Sequence, residues 1–371
     1  LGKVALVFGT RPEAIKMAPI YLALKKEQIP TLTVLTGQHK EMLQQVTELF
    51  GIVSDYDLAV MKERQSLSQL TARMTESLEA IFEKEDIVFT CVQGDTTSAF
   101  IAALVAFYHK IPVGHVEAGL RTDNPYDPFP EEVNRRLVSV LSAYHYAPTA
   151  VARENLLREG VTDSRIQVTG NTVIDSLQWI VKNRKDDLAE RRRNLGIDNG
   201  DYILMTMHRR ENWGKPLLEV IRAVEDIVKE HPEIRVVFPV HLNPVVRGTV
   251  FAELSGNPQV LLTDPMDYLT FLAAMEGARF LMTDSGGIQE EAPAIGKPTL
   301  VLRRTTERPE AISAGTARLV GTSRSMVTTE ALRLLESEEY YREMAEASNP
   351  FGDGLASERI IKHLCRVISL T

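Results

Sequence analysis

The sequence predicts an α/β protein of two doubly wound domains facing each other across a cleft, and three observations carry that expectation. Short apolar runs of strand length alternate with helical patterns along nearly the whole chain, which calls for parallel sheets with crossover helices. At 371 residues the chain exceeds the size at which one hydrophobic core tends to split. Polar and charged residues recur where the apolar runs end, and in such folds ligands bind outside the carboxyl ends of the strands.

Residues 4–8 are an apolar run, after which Gly9-Thr10-Arg11-Pro12-Glu13 turns into a helix. Pro12 falls in the first turn, where its missing N–H does no harm. Residues 32–36 read as the next strand, followed by Gly37-Gln38-His39 and a helix over 40–50. The period predicts a helix over 66–84 and a strand over 87–92 that ends at Gln93-Gly94-Asp95, with Thr96 and Thr97 opening another helix. A strand over 113–116 ends at Glu117, the proline-rich stretch 118–130 is irregular, and Glu131 starts a helix. The same rhythm resumes past Thr169, with strands expected at 202–207, 234–240, 259–263, 279–282 and 299–302. The charged stretch 182–199, with arginines at 191–193, reads as a solvated helix face and loop near the domain junction. Asp55-Tyr56-Asp57 superficially matches a D-x-D metal pattern, but it follows no convincing strand and reads as a solvated loop. The domains expected are 1–170 and 171–354, with a last helix in 355–371 packing back on the first.

The totals narrow the class. A hydrophobic content of 44% with 25% charged residues is that of a soluble globular protein. The net charge of −8 gives nothing global to attract nucleic acid or a membrane surface, so an anionic ligand needs a local basic cluster. Cys91 and Cys365 lie far apart, in apolar contexts and without metal spacing, which fits a reduced, cytoplasmic protein. The most apolar stretch, 99–108, is too short to span a bilayer and lacks a signal peptide's layout. The chain opens on Leu1, which implies that an initiator or a few residues precede it.

The stretch 283–298, TDSGGIQEEAPAIGKP, carries the clearest binding signal. An apolar run ends at Asp284-Ser285, and Gly286-Gly287 turn the chain into a helix beginning near Ile288. The first N–H groups of a helix lack intrahelical partners and its dipole favours negative charge, while glycines let a diphosphate approach the backbone. Glu290 and Glu291 offer carboxylates for the two hydroxyls of a ribose. No G-x-G-x-x-G opens the helix, so this is not a dinucleotide fingerprint. The plain alternative is an ordinary glycine turn with solvated glutamates. Other strand ends add Arg121, Asn243, Arg303, Arg304 and Glu307 to the polar set. Arg11, Lys16, His208, Arg209 and Arg308 can neutralise a diphosphate in an otherwise acidic protein. Asp95, Glu117 and Glu131 are more carboxylates than a binding module needs; crowding them raises at least one pKa and suits general acid/base work. Plainer readings stand beside these: a helix-start glutamate favoured by the dipole for Glu131, a cap or core histidine for His208.

These residues sit in longer motifs that resemble one family closely. GTRPEAIKMAP at 9–19, TGQHKEML at 36–43, GDTTSAF at 94–100, GHVEAGLRT at 114–122 and PFPEEVNRR at 128–136 look like motifs of the non-hydrolysing UDP-N-acetylglucosamine 2-epimerases. So do TGNTVID at 169–175, HRREN at 208–212, PVHLNPVVR at 239–247, the glycine stretch, TERPEAISAGT at 306–316 and NPFGDGLAS at 349–357, in the same order from end to end. The resemblance implies the two-domain Rossmann-like arrangement of glycogen-phosphorylase-like glycosyltransferases (GT-B), a homodimer, and neither metal nor nicotinamide cofactor. It makes the first domain the bearer of the acid/base carboxylates Asp95, Glu117 and Glu131, with His208, Arg11 and Lys16 contacting phosphate or supporting the chemistry. It makes the second the UDP-binding domain, with Phe271, Ser285, Gly286, Gly287, Glu291 and Arg308 on the nucleotide and Glu291 on its ribose. Gln38, Glu41, Arg64, Arg209 and His241 match an activating site that some bacterial relatives use for their substrate, although Glu41 stands where clearly regulated relatives carry Gln. Two further departures are Arg304, where many relatives carry Asp, and Gln93, where His is common; neither is expected to touch a catalytic group.

The implied reaction interconverts UDP-N-acetylglucosamine and UDP-N-acetylmannosamine, the latter destined for cell-surface polysaccharide. The C2–H bond is not beside a carbonyl, so simple proton exchange is not available. Elimination of UDP across C1–C2 gives 2-acetamidoglucal, and UDP then adds back while a carboxylate returns the proton. That route needs cations for the departing diphosphate and carboxylates near both faces of C2. A hydrolysing 2-epimerase and a GT-B sugar-nucleotide glycosyltransferase are the alternatives. The first would release free N-acetylmannosamine, and the second needs an acceptor site.

Overall fold

The structure is a computed structural model that describes residues 2–37, 40–61, 65–122, 124–126, 128–197 and 201–368, the side chains at 40–42 lying outside the description. The chain forms two units, one of Leu1–Ser176 with Phe351–Thr371 and the other of Leu177–Pro350.

In the first unit β1 (Lys3–Phe8), β2 (Thr31–Leu35), β3 (Tyr56–Asp57), β4 (Ile87–Gln93), β5 (Val113–Val116), β6 (Tyr144–Ala147) and β7 (Ile166–Val168) form a parallel sheet in the order 3-2-1-4-5-6-7. The crossovers are α1 (Arg11–Lys26), α2 (Lys40–Phe50), α3 (Leu67–Lys84), α4 (Thr97–Tyr108), α5 (Glu131–Leu141) and α6 (Ala150–Arg158), and α7 (Thr172–Asn183) follows β7. Strand β1 is apolar without alternation because helices cover both faces of a parallel sheet, and Val4 through Phe8 have no exposed surface. Helix α3 shows the complementary pattern: Leu70, Met74, Leu78 and Ile81 recur at helical spacing and are buried.

The second unit begins in α7 and continues with α8 (Lys185–Leu195). Its strands are β8 (Tyr202–Thr206), β9 (Arg235–Pro239), β10 (Val260–Thr263), β11 (Leu281–Thr283), β12 (Thr299–Val301) and β13 (Ala317–Leu319), parallel in the order 10-9-8-11-12-13. Between and after them run α9 (Lys215–Glu230), α10 (Pro244–Leu254), α11 (Tyr268–Gly277), α12 (Gly286–Glu291), α13 (Pro309–Ser313), α14 (Arg324–Glu336) and α15 (Glu338–Ala345). The chain then returns to the first unit as α16 (Ala356–Ile368), which packs against α1. Among the described residues no helix is long and apolar enough to cross a membrane.

Several local expectations need correction. Tyr56 and Asp57 form a short edge strand rather than a loop, while Asp55 and Asp57 are solvent-exposed as expected: Asp55 accepts the Thr33 N–H at 2.7 Å, and Asp57 accepts that of Ala59 at 3.2 Å. The arginines at 191–193 are not simply a solvated face. Arg191 reaches Asp267 and Thr270 at 3.0 and 2.6 Å, and Arg192 pairs with Glu276, so that two long side chains latch α8 to α11. Cys91 is buried in β4, whereas Cys365, on α16, is exposed. Strands β6, β7 and β13 are additions, short segments in which His145, Gln167 and Arg318 interrupt any apolar run.

Candidate active site

The first sheet reverses its strand order between β1 and β4, and ligands bind beyond the strand ends at such a switch point. Beyond β1, Gly9 passes so close to β2's end that a Cβ there would fall 1.8 Å from the Thr36 hydroxyl oxygen. Thr10 caps α1, and Glu13 completes a capping box. The Glu13 carboxylate accepts the N–H groups of Gly9 and Thr10 at 3.1 and 2.8 Å, the Thr10 hydroxyl at 2.8 Å and the Thr96 hydroxyl at 2.6 Å. This buried group ties the β1 turn to the β4 turn. Burial pushes its pKa up, and the four donors oppose that shift.

Beyond β4 the chain passes through Gly94, at φ +70°, to Asp95. Arg135 grips the Asp95 carboxylate, and Asn134 Nδ2 donates to the Asp95 carbonyl at 3.0 Å. Burial raises the Asp95 carboxyl above its ordinary value; Arg135 opposes the rise and the charge of Glu117 adds to it. Glu117, just past β5, has φ +63°, a left-handed conformation that costs a residue with a side chain roughly 1–3 kcal/mol. Lys16 Nζ lies 2.5 Å from its Oε1, Asn171 Nδ2 donates to the same oxygen at 3.0 Å, and Gln93 Nε2 donates to Oε2. The expectation that Gln93 touches no catalytic candidate is therefore wrong. The β4–β5 register pairs Gln93 with Val116, which brings its amide to the next residue along. Arg304, the other departure, is exposed and has no ion-pair partner among the described residues.

Glu131 is the first residue of α5, half-buried, with no hydrogen-bond or ion-pair partner among the described residues. Its neighbour Glu132 has the structural role, buried and held by Arg135 at 3.2 Å and Arg136 at 2.8 Å. Arg11 opens α1, half-buried and without a carboxylate partner among the described residues. Arg121 turns away to Glu159 at 2.6 Å.

In the second unit the strand order reverses between β8 and β11, and a buried acid organises the turn there. Asp284 accepts the His208 N–H at 3.0 Å, the Arg209 N–H at 2.9 Å and the Asn212 amide at 2.9 Å, with His208 Nδ1 at 3.2 Å. Partial burial pulls the His208 imidazole below its ordinary pKa, with the charge of Asp284 opposing the shift. The His241 ring stacks 6.3 Å away and is exposed; its Nδ1 accepts the Asn243 N–H at 3.1 Å. Ser285 precedes α12, and no heavy atom lies closer than 3.6 Å to a Cβ built on Gly286 or 4.0 Å to one built on Gly287, so the backbone is open to an approaching group. Glu290 is buried and paired with Arg308, which leaves half-buried Glu291 as the more accessible acid. Thr306 donates to Gln289 at 2.6 Å and accepts the Arg308 N–H at 3.0 Å, wiring the 303–308 loop to α12. Arg303 is taken up by Glu211 and Glu307, and Arg209 reaches Glu307 at 3.5 Å. Phe271 is half-buried on α11.

Sequence reasoning passed over Glu13, Gln93, Asn171 and Asp284 as site residues. The T-x-x-E spacing of Thr10 and Glu13 was a usable signal; the other three act through contacts that only the sheet register creates. Gln38 and Arg64, and the side chain of Glu41, lie outside the described residues.

Residues 22–365 match the family model described as UDP-N-acetylglucosamine 2-epimerase. The chain is 50% identical over 370 residues to the UDP-N-acetylglucosamine 2-epimerase of Escherichia coli K12, covering 98% of each chain. The Neisseria meningitidis UDP-GlcNAc 2-epimerase, solved bound to UDP-GlcNAc, is 47% identical with a TM-score of 0.86, over 98% of this chain and 100% of that one. A protein of S. aureus solved with UDP is 42% identical with a TM-score of 0.84, over 100% of this chain and 98% of that one. Parallel sheets of GT-B type, the strand-end motifs and likeness over the full length agree: the chain belongs to the family of non-hydrolysing UDP-N-acetylglucosamine 2-epimerases.

Proposed function

We propose that the protein interconverts UDP-N-acetylglucosamine and UDP-N-acetylmannosamine by eliminating UDP across C1–C2 and adding it back. The observation that carries this reading is Glu117, held on a strained backbone by three donors and within the field of a second acid, Asp95. A carboxylate fixed this way is set up to move a proton at a defined atom, which a nucleotide-binding module would not require. In the elimination a carboxylate takes the C2 proton, the C–H electron pair becomes the C1–C2 double bond, and UDP departs with the C1–O pair. In the return step UDP attacks C1 and a carboxylate delivers a proton to the other face of C2. Asp95, Glu117 and Glu131 are the groups we assign to these transfers.

Within the second unit, the open backbone at Gly286 and Gly287 and the Ser285 turn suit the diphosphate, Glu291 the ribose diol, Arg308 the phosphate charge and Phe271 the base. Arg11 and Lys16, on α1, add positive charge for the leaving group. The protein's product would supply N-acetylmannosamine units for polysaccharide, and its active form would be a homodimer.

Two labels test the route. In heavy water the epimerised product should carry deuterium at C2. An oxygen label in the bridging position should scramble into the β-phosphate's non-bridging oxygens, because a released diphosphate can rotate. Glu117→Gln or Glu131→Gln should lower turnover by about a hundredfold or more, the scale for losing a general acid or base. Protium retained at C2, or a bridging label that stays in place, would exclude elimination. Release of free N-acetylmannosamine would instead indicate hydrolysis.

A further inference from the structure

The Gln93 amide lies against Glu117 and has no part in the proton transfers as assigned above. Gln93 closes β4, is only 3% exposed, and donates from Nε2 to Glu117 Oε2. The other oxygen, Oε1, is taken by Lys16 Nζ at 2.5 Å and by Asn171 Nδ2 at 3.0 Å. An ionised carboxylate has about four acceptor sites, two on each oxygen. Oε1 therefore has both of its sites filled, and Oε2 has one filled by Gln93 and one open among the described residues. The open side faces Gly94: a Cβ there would sit 3.7 Å from Oε2, and the φ of +70° excludes most side chains from that position.

We propose that Oε2 is the oxygen through which Glu117 exchanges the C2 proton, and that Gln93 is the positioning residue that fixes it. The assignment rests on the reading of Glu117 as an acid/base group. Gln93 occupies one lone pair of Oε2 and so directs the other toward the space over Gly94. Proton transfer to that lone pair leaves the amide hydrogen bond in place, so the carboxyl does not rotate between the two steps. The charged groups that face Glu117 are Lys16 from α1 and Asp95 from the β4 turn, and Arg135 of α5 is committed to Asp95. Among these neighbours the amide alone donates to Oε2, and it carries neither a charge nor a titratable proton.

Three variants test it: Gln93→Leu, of similar volume without a donor; Gln93→Glu, of the same shape with a second charge; and Gln93→His, which keeps an N–H at comparable reach. Each is read by kcat, KM, calorimetric UDP affinity, thermal midpoint and the rate of deuterium entry at C2. Gln93→Leu should lower kcat and C2 exchange together by about 10- to 100-fold, the scale of a lost positioning contact at an acid/base group. Gln93→Glu should be lower still, UDP affinity should hold in all three, and Gln93→His should recover most of the loss. Wild-type kcat and exchange in Gln93→Leu would overturn the assignment. So would a loss in Gln93→His as deep as in Gln93→Leu that tracks the thermal midpoint, since that would mark a packing role only. Glu117→Gln, run alongside, separates the two levels: full turnover there would remove Glu117 from the chemistry altogether.

Discussion

Asp284 has no exposed surface, and its two oxygens receive the backbone N–H groups of His208 and Arg209 and the side-chain amide of Asn212. A buried acceptor with three donors is worth more than its net contribution suggests, because its removal leaves the His208 and Arg209 N–H groups without their acceptor, while the Asn212 amide keeps the Leu302 carbonyl at 3.1 Å. Leaving one such group unsatisfied costs about 1–3 kcal/mol. Asp284→Ala should therefore destabilise the second unit by on the order of 3–5 kcal/mol, allowing for some relaxation of the turn. Trp213, whose indole donates to the His208 carbonyl at 3.4 Å, sits on the same turn and reports the change by fluorescence in urea. Arg304→Ala, at an exposed position, is the control and should shift stability by less than about 0.5 kcal/mol. A midpoint for Asp284→Ala equal to the control's would show that the turn holds without its acid. At this scale the sequence was legible in part. Asp95, Glu117 and Glu131 stand out because they end strands or open a helix. Gln93 and Asp284 do not, because their importance lies in what the adjacent strand brings alongside.

Two histidines face one another across the β5–β6 ladder, where His115 pairs in register with His145. Both are fully buried. His115 Nε2 lies 2.8 Å from the Gly94 carbonyl, an acceptor, so the proton is on Nε2 and the imidazole steadies the turn that carries Asp95. Neither ring nitrogen of His145 has a partner among the described residues. Burial pulls both imidazoles down to about 3. These folded-state values lie below the unfolded value of about 6.5, so the unfolded chain takes up protons first on acidification. Their contribution to stability is complete above about pH 6.5 and is lost progressively as pH falls toward 3, by about 2 kcal/mol per histidine at pH 5. His145→Phe removes two unpaired nitrogens while keeping a ring of similar shape. It should leave urea stability at pH 7 unchanged or raised and should make the fall between pH 7 and pH 5 shallower. A pH dependence identical to the parent's would show that His145 does not titrate on unfolding. The short strand bearing this histidine was not legible beforehand, since Tyr-His-Tyr-Ala gives neither an apolar run nor an alternation. Helix α2, of eleven residues, was legible, and it falls where the period puts it.

For the whole molecule, the alternation of strand and helix gave the fold class, because a parallel sheet requires a crossover after each strand and buries each strand on both faces. An outward face of the first unit was less legible. Val133, Leu137 and Val140 recur on one side of α5, and Val140 is 81% exposed. Phe107 and Tyr108, at the end of α4, are 56% and 62% exposed, and α4 packs beside α5. A helix is expected to bury its apolar stripe, yet here a second stripe points away from the sheet. Exposed apolar residues grouped this way mark a surface that another surface covers. A second copy of the chain is the occupant we assign, in keeping with the proposed homodimer, and closed pairs of this kind use one patch twice. Leu137→Arg combined with Val140→Arg places two like charges on that patch, and both copies bring them to the same place. The variant should sediment as a monomer at concentrations where the parent is a dimer. Its circular dichroism should match the parent's, because Val140 is largely solvated and Leu137 already reaches solvent, so neither arginine has to be buried. A sedimentation coefficient unchanged from the parent dimer would move the interface elsewhere, and a monomeric parent would remove the dimer itself.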